Sequence, residues 1–310
     1  MPPLDLAALN TQFAIPEQLS FVAGPGDLPF VDVRNAQGLA RISIQGGQVV
    51  AFQPHGTAPV LWVSAASLYA PDKPIRGGIP VCWPWFGPHP TDPTKRQHGF
   101  VRTALWSVGN TRVTPEGATQ IQLTLADSPA TRALWPHPFA LAITITVGTA
   151  LVVELVAHNP GPDPVSCSGA LHSYFSVSNV TSIAIQGLEG CTYIDKTAGG
   201  AQQLQQGPVT LDGETDRIYL ETAAPCVIVD PERQRRIHIA KQGSRSTVVW
   251  NPGEAGARRM SDFGAEEYRR MVCVETANAG PDAVTIPPGG AHRLGTTITV
   301  EQDEVLSSKS

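Results

Sequence analysis

"LAITITVGTALVVELVAHN", residues 141–159, decides how this chain folds. Leu141, Ile143, Ile145 and Val147 alternate with smaller or polar residues. That is the period of a strand, whose successive side chains point to opposite faces. Gly148 interrupts the run and a second one follows, so the stretch reads as two strands joined by a turn. The pattern recurs outward in both directions. "ARISIQGGQVVAF" (40–52) reads as two short strands around Gly46-Gly47, "TQIQLTLAD" (119–127) as one, and "CVIVDPERQRRIHIA" (226–240) as a pair turning at Asp230-Pro231. "STVVWNP", "RMVCVETA" and "HRLGTTITVEQ" follow. Helical signals are few: "SPATRALW" (128–135) and "SDFGAEEYRR" (261–270) each suit a turn or two, the second capped by Ser261 or Asp262. Strands with turn signals every ten residues or so imply an all-β sandwich or barrel. No repeat, low-complexity tract or linker divides the chain, which reads as one β domain over 1–310 with "EVLSSKS" as a frayed tail.

Composition narrows the function. The 310 residues carry a formal charge of −5 and only 16% charged side chains, against a general nucleic-acid binder. "MPPLDLAALNTQFAIPEQ" lacks the basic start and apolar core of a secretory signal, and no run reaches the length of a membrane span. The five cysteines are scattered, with no CxxC, so neither a zinc site nor a redox pair is expected; reduced thiols in a cytoplasmic protein fit best. No HExxH, P-loop or strand-borne GxGxxG occurs, so no metal or cofactor is expected.

Five stretches hold the candidate chemistry. In "LHSYFSVSNV" (171–180) alternation sets His172, Tyr174 and Ser176 on one face, too polar for a core and too aromatic for a wet surface. An imidazole there is able to donate a proton near neutral pH, its reference pKa being about 6.5. "MVCVETA" (271–277) puts Met271, Cys273 and Glu275 on one face and Val272 and Val274 on the other. A carboxylate on so apolar a face needs a partner or a cleft, and burial makes it a stronger base. "PIRGGIPVCWPWFGPHP" (74–90) has too many prolines for a central strand. Gly77-Gly78 permits positive φ or a close backbone approach, and the aromatic residues around Arg76 suit the apolar face of a sugar ring. "RQHGFVR" (96–102) offers Gln97, His98 and Arg102, the last with a planar fork suited to phosphate or carboxylate. "ETDRIYL" (214–220) offers Asp216 to sugar hydroxyls. Each piece has a plain structural alternative: a core histidine, a solvated strand end, a proline-rich loop, a surface arginine pair, a solvated turn. Together they read as a site with a histidine acid, a glutamate base and two arginines.

"IRGGIPVCWPWFGP", "QHGFVR", "LHSYFSVSNV", "TDRIY", "VVWNP" and "MVCVETA" occur here in the order in which the hexose-6-phosphate mutarotases carry similar motifs. The chain thus resembles the glucose-6-phosphate 1-epimerases, a branch of the aldose 1-epimerase (galactose mutarotase-like) family, over residues 25–300 or so. The resemblance implies a large antiparallel β-supersandwich with a few short helices and a sugar site on a concave face. It implies His172 as general acid, Glu275 as general base, Arg76 and Arg102 on the phosphate, and Gln97, His98 and Asp216 against substrate. The implied partner is a hexose 6-phosphate, glucose 6-phosphate first, and the implied chemistry is cofactor-free exchange of its α and β anomers; the low charge and apolar strands permit a monomer or a dimer, the monomer being favoured. Two departures from the family pattern stand out: Trp83, expected to wall the pocket where relatives carry Phe, and Gly253 at a rim position where Trp is common. The rival readings are an aldose 1-epimerase of unphosphorylated sugars, a non-catalytic sugar-binding module, and a carbohydrate lyase or hydrolase, against which counts the single strong carboxylate candidate where a glycosidase needs two.

Overall fold

The structure, a computed structural model, describes residues 4–303; the proposed tail 304–310 lies outside them. Strands dominate, and all their ladders are antiparallel. One eight-stranded sheet runs in the order Ala184–Gln186, Cys226–Asp230, Arg235–Gln242, Ala291–Gln302, Leu151–His158, Ala140–Val147, Thr119–Ala126 and Ser107–Val113. The 141–159 stretch lies near its middle. Its two strands pair without a slip from Ala140 opposite His158 to Val147 opposite Leu151, because a one-residue slip would turn every apolar side chain outward.

A second eight-stranded sheet runs in the order Ala201–Leu204, Thr192–Asp195, Thr215–Tyr219, Ser246–Asn251, Met271–Asn278, Gly169–Leu171 and Val81–Cys82, with Tyr174–Ser176 also paired to Met271–Asn278. Val81–Cys82 is the edge, as its proline-rich surroundings require. A four-stranded meander, Leu19–Ala23 through Gln48–Pro54, and a two-stranded ribbon, Val165–Cys167 with Val284–Ile286, complete the sheets.

The main core lies between the large sheets. Val249, Val272, Val274 and Phe175 join Ile143, Leu155, Ile228 and Ile298 in one buried cluster. The opposite face of the second sheet is covered by two separate clusters. One gathers Trp62, Tyr174, Phe263, Tyr268, Met271 and Cys273; the other gathers Cys82, Ala170, Ile218, Val248 and Ala277. The gap between them is where the polar residues converge.

Helices are short, as expected, but differ in place. The 128–135 helix forms at Pro129–Leu134 behind a Ser128 capping box. In 261–270 only the 3-10 turn Glu267–Arg270 forms, and Asp262 faces Arg76 instead of capping it. Leu6–Phe13, capped by Asp5, and Gly253–Arg259 are helices that periodicity alone does not reveal, each being two turns or so. Among the described residues no helix is long and apolar enough to cross a membrane.

Candidate active site

The centre of the site is a break in a strand. Leu171 pairs with Thr276, and Tyr174 with Cys273, in one unbroken register. His172 and Ser173 between them fall outside the strands, although the Val274 N–H still donates to the Ser173 carbonyl at 3.2 Å. The His172 N–H donates to the Pro80 carbonyl at 3.0 Å and the Tyr174 N–H to the Gly78 carbonyl at 2.8 Å. The strand thus leans onto the 74–90 loop, while register keeps His172 opposite Glu275. Their side chains meet with Nε2 and Oε1 3.4 Å apart, and the side chains are 9% and 1% exposed. His172 Nδ1 and Glu275 Oε2 are buried without a hydrogen-bond partner among the described residues. Seven side-chain atoms among the described residues are buried and left open in this way, and two of the seven belong to this one pair.

Gly77 and Gly78 hold the loop in place. Their φ angles are +125° and +64°, and a Cβ would stand 2.4 Å from the Trp62 carbonyl oxygen or 2.1 Å from that of Val49. Both reasons for glycine, positive φ and close backbone approach, therefore apply.

Aromatic rings enclose the pair. Tyr174 stacks on His172 with centroids 4.8 Å apart and planes 10° apart, and Trp62 stacks in turn on Tyr174. Trp250 stands edge-on at 6.2 Å, and Phe86 lies 6.4 Å from His172. Trp83 does not wall the site: it is buried in the main core, edge-on to Trp135 and Phe139. A bulky apolar ring has more surface to bury there than at a solvated rim. Gly253 is required by backbone geometry, since its φ is +59° and a Cβ would meet the Glu214 nitrogen at 2.7 Å.

His98 packs beside His172, centroids 5.6 Å apart, and against Phe86. The Gly87 N–H donates to His98 Nδ1 at 3.3 Å, which puts the ring proton on Nε2. Burial, with help from the positive Arg102, Lys196 and Arg76, pushes the His98 pKa down to about 3, so the ring is a neutral N–H donor at working pH.

The two arginines are not equivalent. Arg76 gives Nε and Nη2 to Asp262, at 3.0–3.3 Å, and Nη1 to the Tyr174 hydroxyl at 3.3 Å. Burial pulls its pKa down, but Tyr174 and Asp262 outweigh that and hold it above the ordinary value. Arg102 gives one hydrogen bond, Nη2 to the Gln97 carbonyl at 2.8 Å, and has no carboxylate within ion-pair distance among the described residues. Gln97 itself is exposed and lends its main chain.

Asp216 lies on the strand Thr215–Tyr219, not in a turn, and stands opposite Trp250. Lys196, a residue the motifs do not single out, pairs with it at 2.8 Å.

These surroundings set the protonation of the central pair. Burial first, then the neighbouring His98 ring and the positive Arg102 and Arg76, push His172 well below its ordinary pKa. Burial and then Asp216 push Glu275 well above its own, against a smaller opposing pull from Lys196. Both directions favour a neutral imidazole beside a neutral carboxyl when nothing else is bound, because separating charge in a dry site costs more than the contact returns. Cys273 lies on the same face, and the ligating atoms of His172, Cys273 and Glu275 are all within 4.8 Å of one another.

The structure thus brings His172, Glu275, His98 and Arg76 together and sets Arg102 and Asp216 near them, with Gln97 at the rim. Tyr174, Trp62, Trp250, Phe86, Asp262 and Lys196 complete the surroundings. "VVWNP" carried a signal for Trp250; nothing local pointed to Lys196 or to the pairing of Asp262 with Arg76.

Known proteins bear on this arrangement. The aldose 1-epimerase family profile matches residues 29–299. A protein of Salmonella typhimurium named "Putative glucose-6-phosphate 1-epimerase" is 34% identical over 300 residues, covering 94% of this chain and 99% of its own. One of the same name from the plant Cenchrus ciliaris is 33% identical, covering 88% of this chain and 84% of its own. A solved structure of a Salmonella typhimurium protein described as a "putative mutarotase" superposes with a TM-score of 0.87 at 32% identity, over 94% of this chain and 96% of that one.

Proposed function

The chain belongs to the aldose 1-epimerase family, an isomerase family, and from that premise we propose that it interconverts the α and β anomers of a hexose 6-phosphate, glucose 6-phosphate first. The observation that carries this reading is the buried His172–Glu275 contact with one open atom on each side. Ring opening of a cyclic hemiacetal needs a proton taken from the anomeric hydroxyl and another delivered to the ring oxygen. Glu275 Oε2 is free to accept from the O1 hydroxyl, and the open imidazole nitrogen is free to face O5.

Substrate also shifts the protonation of the pair. A hydroxyl donating to Glu275 favours its carboxylate, and a ring oxygen accepting from His172 favours its imidazolium. The shared proton then sits on His172, ready for O5, while Glu275 takes the O1 proton. The C1–O5 bond breaks, the aldehyde turns about C1–C2, and the two residues exchange roles as the ring closes. Such paired acid–base catalysis is worth about 10²–10⁴-fold per group. The His98 Nε2–H donates to a sugar oxygen, and Trp250 and Phe86 flank the ring's apolar face.

Arg102, with most of its donors unspent, carries the larger share of the phosphate, and Arg76 adds to it from its anchored position beside Asp262. The pairing of Arg76 with Asp262 also favours a second reading, an epimerase of unphosphorylated sugars, because that cation is already neutralised.

Exchange spectroscopy by NMR on glucose 6-phosphate and on free glucose, with His172→Ala as control, tests both. Exchange confined to the phosphate and lost in the variant is expected. Equal exchange on both sugars moves the protein to the second reading, and none on either leaves a sugar-binding module.

A further inference from the structure

We infer that His172, Cys273 and Glu275 form a binding site for a thiophilic divalent cation of the zinc and cadmium class, and that occupancy shuts the site down. Register builds the triad: His172 stands opposite Glu275, and Cys273 precedes Glu275 by two residues on the same face of Met271–Asn278. All three side chains are buried, and their ligating atoms lie within 4.8 Å of one another. His172 Nε2 and Glu275 Oε1 already stand 3.4 Å apart, and His172 Nδ1 and Glu275 Oε2 are buried with no hydrogen-bond partner among the described residues.

The donor set is one nitrogen, one sulfur and one carboxylate oxygen. Zinc takes such ligands at bond lengths of about 2.0–2.3 Å, which sets ligand atoms about 3.3–3.8 Å apart, so the triad closes by about 1 Å of side-chain movement. The thiolate selects zinc or cadmium over magnesium or calcium, which prefer oxygen alone. The fourth position is left for water. On binding, the Cys273 thiol and the Glu275 carboxyl each release a proton to solvent as the metal–sulfur and metal–oxygen bonds form, and no electron is transferred. His172 and Glu275 then spend on the metal the lone pairs that acid–base exchange requires.

The site itself rests on these three side chains; only its inhibitory consequence rests on the proposed function. Calorimetric titration with Zn²⁺ therefore reads binding separately from turnover. Cadmium–thiolate absorbance reports whether the sulfur is a ligand. Both are best done in a Cys191→Ser background, since Cys191 is a partly buried thiol while Cys82, Cys167 and Cys226 are buried. One equivalent of Zn²⁺ and a cadmium–thiolate band are expected. Cys273→Ser removes the band and weakens Zn²⁺ by at least about tenfold, the scale of losing even an outer-shell partner. Glu275→Gln weakens binding while keeping the band, which serves where the serine variant does not fold. No band in the Cys191→Ser protein, or Zn²⁺ affinity unchanged by Cys273→Ser and Glu275→Gln, overturns the assignment. Binding with unaltered anomer exchange leaves the site standing and removes the acid–base role of the pair.

Discussion

The two eight-stranded sheets are built from the same kind of sequence and put to different use. In the regular sheet, Ala140–Val147 and Leu151–His158 are eight residues each and bury alternate side chains without exception. In the other, Val81–Cys82 is two residues, Gly169–Leu171 and Tyr174–Ser176 are three each, and Met271–Asn278 is buried at every position. The regular sheet meets the main core with one face and solvent with the other. The broken sheet meets apolar material on both, yet it holds Glu275 and His172 between two clusters that do not merge. Stability is spread evenly over the first; in the second, interruptions aim a few side chains. The difference teaches that this fold places chemistry where a ladder is broken but its register is kept.

The sharpest way to break that contrast is to exchange the two kinds of damage. Glu275→Gln or His172→Ala is expected to lower anomer exchange by about 10²–10⁴-fold with the thermal midpoint little changed. Ile145→Ala, at a fully buried position of the regular sheet, is expected to cost about 2–5 kcal/mol in denaturant titration while exchange per folded molecule stays intact. Large stability losses from the first pair, or a lost rate in the second, would erase the distinction.

Arg102→Ala is expected to remove one charge-assisted contact, about 1.5–3 kcal/mol, and so lower kcat/KM for glucose 6-phosphate about 10–100-fold with a smaller effect on free glucose. Arg76→Ala is expected to harm both substrates, because it also releases Asp262 and the Tyr174 hydroxyl that stacks over His172. Identical substrate profiles for the two variants would mean that the arginines share one role.

A pH titration of stability probes the broken sheet more gently. His98 titrates at about 3 in the folded chain against 6.5 when unfolded, so the unfolded state binds the extra proton between those values. Stability is therefore expected to fall as pH drops from 6.5 toward 3, by at most about 1.4 kcal/mol per pH unit from this residue. His98→Gln should flatten that slope in guanidinium midpoints measured across the range; an unchanged slope assigns it elsewhere. The smallest effect is expected from Val152→Thr on the outer side of the regular sheet, within about 0.5 kcal/mol, since strand preference is kept.

How much was legible follows the same division. Around Gly148, Gly46-Gly47 and Asp230-Pro231 the hairpins form where alternation places them, because local turn chemistry and one buried face suffice to fix them. The facing of "MVCVETA" was legible too, with Val272 and Val274 in the main core and Met271, Cys273 and Glu275 on the other side. The buried Trp83, the strand beneath Asp216 and the helix Gly253–Arg259 were not, because what surrounds them comes from distant segments.

By itself, then, the sequence determined where the long alternating segments become strands, which side of each of these is apolar, and which residue types are available for acid–base and anion chemistry. Alternation and turn preference act over a few residues and need no knowledge of the rest of the chain. Only the tertiary structure decided that His172 faces Glu275, that Arg76 is taken by Asp262 186 residues further on while Arg102 is not, and that Cys273 completes a triad. Those contacts depend on strand order and register summed across the whole sheet, and no local preference encodes that sum.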